Sequence, residues 1–209
     1  MLEIVPLILG PVQTNTYLVA DTVSREVVCI DPAWDGQVIL HETQQRGWRL
    51  SGIWLTHAHF DHFGGAAALA AGCHPAPPVA LHPLDHSLLQ EGGGAAWFGL
   101  EIDSGPEPTV AFYHGQALRM GAYVFEGRHV PGHTPGHVLF SCAEQRVAFT
   151  GDVIFQGSIG RTDLSGGDFN TLLDSIVHQV LTLSDTTRLL SGHGPETSVG
   201  AERKYNPFL

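Results

Sequence analysis

The sequence is poor in cysteine, in basic residues and in long apolar runs, and each shortage removes a class of protein. Three cysteines occur in 209 residues, Cys29, Cys73 and Cys142, far apart and in no paired spacing. That argues against a disulfide framework, and a thiolate zinc site of the C-x2-C kind is absent. Lys and Arg number 10 against 21 Asp and Glu, a formal net charge of −11, and no basic cluster interrupts it. A phosphate backbone would be repelled by most of such a surface, so no nucleic-acid partner is expected and a nuclease is disfavoured. The longest stretch without a charge, His62 to Leu84, contains three His and four Pro and cannot form a membrane helix. Near the N-terminus Glu3 stands where a secretory signal carries positive charge, and no basic residue precedes Arg25. The expected location is therefore the cytoplasm, with no membrane partner.

What is present describes a globular chain. Hydrophobic residues make up 43% and charged ones 15%, a balance that excludes intrinsic disorder. The 25 Gly and 13 Pro imply many turns and functional loops, and the length fits one domain over residues 1–209. Patterning predicts strands at 3–9, 15–20 and 27–31, a helix at 36–47, and a strand at 52–55 that runs straight into Thr56-His57-Ala58-His59-Phe60-Asp61-His62. A helix at 64–71, a strand at 79–82 and a helix opening on Pro83 follow. The segment Glu91–Pro108 holds Gly92-Gly93-Gly94 and the pair Trp97-Phe98 without a clear period, and reads as a lid or as a surface excursion. In the second half, strands are predicted at 110–113, 117–120, 123–130, 138–142 and 146–150. A helix over 168–181, capped by Asp168, carries an apolar stripe from Phe169 to Val180, and a strand at 188–191 runs into Gly192-His193-Gly194-Pro195. Two halves, each of strands followed by helices, predict an α/β (α+β) fold of two sheets packed face to face with helices outside.

The abundant metal-capable residue is histidine, thirteen in all, and its placement carries the chemistry. The run His57-Ala58-His59-Phe60-Asp61-His62 packs four potential ligands into six residues. They cannot all reach one tetrahedral ion without a badly strained loop, whereas alternate residues on an extended strand end point the same way. His57 and His59 are therefore assigned to one ion, and Asp61 and His62 to a second. Two dications so close repel each other and need an anionic bridge and further neutral ligands. Pro131-Gly132-His133, Thr150-Gly151-Asp152 and Gly192-His193-Gly194 supply these at predicted strand ends, each with Gly alongside to permit the turn. Such a pair acidifies a shared water enough to leave hydroxide at neutral pH and can polarise a carbonyl, which is hydrolytic chemistry. Asp61 would orient that hydroxide besides binding metal. A thioester suits the centre because a thiolate leaves at neutral pH with little help. No Ser or Cys nucleophile is needed, and no G-x-S-x-G occurs. Imidazole and carboxylate ligands suit two divalent ions, zinc first, with iron or manganese compatible.

These residues, in this order, resemble the metallo-β-lactamase fold superfamily over nearly the whole chain. Within it, Gly151-Asp152-Val153-Ile154-Phe155, the segment Gly157 to Asp163, Gly192-His193-Gly194-Pro195 and the ending Asn206-Pro207-Phe208-Leu209 are similar to the glyoxalase II-like hydrolases. The resemblance implies a four-layer αβ/βα sandwich of two mixed sheets. It places the first metal on His57, His59 and His133, the second on Asp61, His62 and His193, and Asp152 across both. The activity implied is hydrolysis of a small-molecule thioester of the hydroxyacyl-glutathione type by a metal-bridging hydroxide. In two-zinc β-lactamases the place of Asp152 is commonly a Cys or otherwise specialised, so the Asp favours the glyoxalase-like reading. Arg161 lies nine residues after Asp152, where the family carries a basic residue that contacts the substrate's anionic tail; a salt bridge to Asp163 is the alternative role. Full glyoxalase II enzymes have a helical C-terminal domain after the last metal His, whereas sixteen residues follow His193 here. The expected relatives are thus the short, single-domain branch. The rival activity is that of a mononuclear iron persulfide dioxygenase, which shares a Gly-Arg-Thr-Asp segment like Gly160-Arg161-Thr162-Asp163 but holds one iron with two His and an Asp. His137 reads as an outer partner of the metal ligands or as a turn residue, and Trp97 and Phe155 as pocket wall or core.

Overall fold

The computed structural model describes residues 1–209. In its first half come β1 (Leu2–Leu9), β2 (Thr14–Asp21), β3 (Glu26–Ile30), α1 (Gly36–Gln45), β4 (Arg49–Trp54), the single turn α2 (Phe60–Phe63), α3 (Ala66–Ala71), β5 (Val79–Leu81), α4 (His86–Gln90) and β6 (Val110–Ala111). The second half holds β7 (Gln116–Met120), β8 (Tyr123–His129), β9 (Val138–Cys142), β10 (Val147–Gly151), β11 (Ile154–Phe155), β12 (Ser158–Ile159), α5 (Phe169–Ser175), β13 (Arg188–Ser191), β14 (Thr197–Ser198) and α6 (Val199–Tyr205). One six-stranded sheet has the order β1-β2-β3-β4-β5-β6, the other β14-β13-β10-β9-β8-β7, and both mix parallel with antiparallel pairs.

Alternation along the strands sorts the apolar residues into three cores and so fixes the layers. Tyr17, Val19, Val28, Ile30 and Trp54 of the first sheet meet Phe125, Val138, Phe140, Val147 and Phe149 of the second between the sheets. The opposite residues of the first sheet, Leu18, Val27, Cys29 and Ile53, pack under Ile39 of α1 and Leu69 of α3. Leu139, Ala148 and Leu189 on the outer face of the second sheet lie under Leu172 of α5, Ile176, Val180 and Val199 of α6. The result is the expected four-layer sandwich. At its centre Trp54 packs against Phe125 and Phe140 with ring centroids 5.6 and 5.4 Å apart, so β4 is pinned to β8 and β9 three residues before His57.

Several expectations are refined. The helix capped by Asp168, whose carboxylate accepts the Thr171 N–H at 2.7 Å, is α-helical only to Ser175 and widens into a π-helical turn over Ile176–Val180. Pro83–Asp85 form a 3-10 turn before α4. The hairpin of β11 and β12 and the helix α6 were not expected, because two-residue strands and a seven-residue helix carry too little period to register. Glu91–Pro108 is neither free nor featureless. Ala95–Phe98 make a 3-10 turn, the Gly93 carbonyl accepts the Phe60 N–H at 3.0 Å, and Leu100 and Ile102 pack on the first outer core. No helix is long and apolar enough to cross a membrane.

Candidate metal centre

Strand direction brings the candidate residues together. β8, β10 and β13 run the same way within the second sheet, and their C-terminal ends lead into His133, Asp152 and His193. The end of β4 leads into His57 on the same rim, tied across the sheets by the Val138 N–H donating to the Thr56 carbonyl at 2.8 Å and by Asn15 N–H donating to the Gly192 carbonyl at 2.7 Å. His59 is extended, with φ −76° and ψ 144°, and α2 begins immediately after it. The change from extended chain to helical turn swings Asp61 and His62 away from the direction taken by His57 and His59.

The donor atoms fall into two groups. His57, His59 and His133 form one, with His59 Nδ1 at 2.8 Å and His57 Nε2 at 3.2 Å from His133 Nε2. Asp61, His62 and His193 form the other: Asp61 Oδ2 lies 3.4 Å from His62 Nε2 and 3.2 Å from His193 Nε2. The Asp152 carboxylate stands between them, Oδ2 being 3.7 Å from His133 Nε2 and 3.6 Å from His193 Nε2, with Oδ1 3.4 Å from His62 Nε2. All seven residues therefore meet at one rim. Gly192 makes room for this, since a Cβ there would lie 2.2 Å from Asp152 Oδ1 and 2.6 Å from His62 Cε1.

Hydrogen bonds behind the rings aim their lone pairs inward. His62 Nδ1–H donates to Asp31 Oδ2 at 3.0 Å, and His133 Nδ1–H donates to the Arg161 carbonyl at 2.7 Å. The Thr56 hydroxyl donates to Asp31 Oδ2 at 2.7 Å and so accepts from His57 Nδ1–H at 3.0 Å. His57 and His133 thus spend their ring protons outside the centre and face each other with bare nitrogens, an arrangement that a cation between them relieves. His62 Nε2 and Asp152 Oδ1 are buried without a hydrogen-bond partner, and His59 presents Nδ1 to His133 Nε2. Those orphaned atoms and facing lone pairs fit a pair of divalent ions.

Electrostatics separate the two groups. Burial, then positive charge on its neighbours beginning with His62, holds His57 well below the usual imidazole range; burial and then His133 bring His59 down to about 3. Burial also opposes charge on His62, but Asp61 and Asp152 outweigh it and raise that ring well above its ordinary value. For His193 the hydrogen bond to Asp61 and the charge of Asp152 likewise win over burial. Burial resists ionisation of Asp61, yet His62 and His193 hold it down to about 2, and the same rings with His133 keep Asp152 ionised far below the ordinary carboxylate range. In the absence of metal the first group is therefore neutral imidazole, and the second pairs protonated imidazole with ionised carboxylate.

Four supporting residues went unassigned in the sequence. Asp31, at the end of β3, adopts φ 51° and binds the Thr56 N–H, the Thr56 hydroxyl and His62 through one carboxylate. Its atoms also lie near those of His57 and His62, but these hydrogen bonds consume them. Asp85, two residues after Pro83, accepts from Ala58 N–H, the Thr134 hydroxyl and Gly136 N–H, tying the loop of His57 and His59 to that of His133. Thr14 donates to Asp61 Oδ2 at 2.9 Å, and Thr56 relays Asp31 to His57. An Asp at a strand end before Pro32 was the one available signal; the others depend on contacts distant in sequence. His137 does act behind the ligands, its Nε2 accepting the Asp152 N–H at 3.1 Å while its ring stacks on His57 at 4.6 Å. Arg161 reaches the mouth of the pocket, but its guanidinium pairs with Asp163 through two 2.8 Å hydrogen bonds. Trp97 lines the pocket, Phe155 stands beside the His193 ring at 6.2 Å, and His82 stacks on His129 away from the centre.

The metallo-beta-lactamase superfamily model matches residues 9–193, and the chain belongs to that family. It is 36% identical to the hydroxyacylglutathione hydrolase GloC of Haemophilus influenzae over 211 residues, covering 100% of this chain and 97% of the relative. Among solved structures it is similar to the B3 metallo-beta-lactamase BLEG-1, with a TM-score of 0.92 and 37% identity over 99% of each chain. TTHA1623, solved in a di-iron-bound form, superposes with a TM-score of 0.89 and 41% identity, covering 98% of this chain and 100% of that one. Family and geometry together define a metal-dependent hydrolase fold with a dinuclear type of site.

Proposed function

We propose that this chain hydrolyses small acyl thioesters of the hydroxyacyl-glutathione kind in the cytoplasm. In this reading His57, His59 and His133 hold one divalent ion, Asp61, His62 and His193 a second, zinc in both, and Asp152 serves both. The position of the Asp152 carboxylate, within 3.7 Å of His133 and 3.6 Å of His193, is the observation that carries it. When bound, two divalent ions supply a water acidified to near neutrality and a Lewis acid for the substrate carbonyl. Asp61, ionised and pinned by the Thr14 hydroxyl, is the acceptor that orients the attacking water. Asp31, Thr56, His137 and the Arg161 carbonyl hold the surrounding rings and the Asp152 backbone in place. The thiolate departs without a general acid. Arg161 at the pocket mouth is the contact for an anionic tail, exchanging with Asp163. Three free cysteines support a reducing location.

The test is thiol release from S-lactoylglutathione by protein loaded separately with zinc, iron or manganese, with metal counted per chain. Two ions per chain and release abolished by a chelator are expected. A single iron with oxygen uptake on glutathione persulfide would replace this reading by the dioxygenase. Likeness to BLEG-1 favours β-lactam opening as a second reading, which turnover of a β-lactam without thioester turnover would establish.

A further inference from the structure

Three large apolar side chains stand exposed around the centre although nothing in the fold requires it: Val12 at 46%, Trp97 at 53% and Phe98 at 54%. With Leu164 they line a pocket of about 200 Å³ that also contains His59, Asp61, Asp152 and His193. Clustered exposed apolar surface of this kind marks a binding site. The turn that carries the aromatic pair is tied to the loop of the metal ligands. Gly94 and Gly99 bracket its 3-10 turn with φ 80° and 69°, Ala95 is buried beneath it, and the Gly93 carbonyl is bonded to the Phe60 N–H. Phe98 rests on the Phe60 ring, centroids 5.4 Å apart, one residue beyond His59. Arg161, the one Lys or Arg lining the pocket, pairs with Asp163 and is the contact assigned above to an anionic tail, which leaves the apolar turn to meet a different part of the substrate. Recognition on the side of that turn is therefore apolar.

We infer that Trp97 and Phe98, with Val12 and Leu164, form an aromatic shelf that selects thioesters bearing a flat apolar group next to the reacting carbonyl or sulfur. This rests on the thioester reading above and adds the class of substrate that the site prefers. Two pairs of esters separate the sides: 2-phenyl-2-hydroxyacetyl-glutathione against S-lactoylglutathione varies the acyl group, and the lactoyl ester of benzyl mercaptan against S-lactoylglutathione varies the thiol. The metal-loaded chain is expected to favour the aromatic member of at least one pair by about 10-fold or more in kcat/KM, mainly through KM. Trp97→Ala and Phe98→Ala are expected to bring that ratio toward one at unchanged metal content; a ratio cancels any loss common to both esters. Ratios near one in both pairs, or a preference that survives both substitutions, overturn the shelf. If no thioester is cleaved, the thioester reading fails separately, and calorimetry with two pairs, benzyl mercaptan against 2-mercaptoethanol and mandelate against lactate, still decides. About 10-fold tighter binding of the aromatic member of at least one pair, lost in Trp97→Ala, upholds the shelf, and equal binding in both pairs overturns it.

Discussion

Asp31 shows most clearly how single residues control this centre. One carboxylate fixes His62 directly and His57 through Thr56, so it steers a ring in each donor group. Asp31→Ala is expected to weaken metal binding by roughly 10–100-fold while circular dichroism is unchanged, as measured by competition with a chelator. Protonation supplies a second residue-scale prediction. Folded-state burial lowers His57, His59, His133 and His137, and burial with His129 and His86 brings His82 down to about 4. Unfolding raises these groups to about 6.5, so their contribution to stability is complete above that pH and is lost as the pH falls toward the folded values. His62 and His193 are raised instead, and theirs is complete below about 6.5 and fades above it. The urea midpoint of metal-free protein should therefore drop on acidification below about pH 6.5. His82→Asn, which removes one lowered group outside the centre, should flatten that slope, and an unaltered slope would refute the assignment.

Among the elements, β4 and the two strands facing it set the alignment of the donor groups. His57 and His59 come from the first sheet, whereas His133, Asp152 and His193 come from the second, so the centre depends on the inter-sheet contact of Trp54 with Phe125 and Phe140. Phe140 is fully buried. Phe140→Ala should cost about 3–5 kcal/mol in chemical denaturation and lower metal occupancy, because the cavity lies beneath the joint between the sheets. The strands leading into the site were legible from apolar runs ended by Gly and Pro. The π-helical turn, the β11–β12 hairpin and α6 were not, since each is too short for periodicity to exceed local noise.

For the whole molecule, binding of two ions across the sheets is a source of stability as well as chemistry. At free metal near 100 times each dissociation constant, each ion adds about 2.7 kcal/mol. Stripping both should lower Tm by on the order of 10–20 °C for a chain of this size, reversibly on metal return. An unchanged Tm in calorimetry would mean that the seven side chains do not share ions across the two sheets.

The donor types, the separation of His57 and His59 from Asp61 and His62, and the strand-and-helix pattern of two halves were determined by local sequence, because ligand spacing and strand period act over a few residues; the places of His133, Asp152 and His193 followed from the family resemblance. The hydrogen bonds of Asp31 and Asp85, the engagement of Arg161 by Asp163, and the exposure of Trp97 and Phe98 beside His59 were decided only by tertiary structure. They join residues whose relative placement is set by sheet packing, and packing sums contacts over the whole chain that no short window of sequence contains.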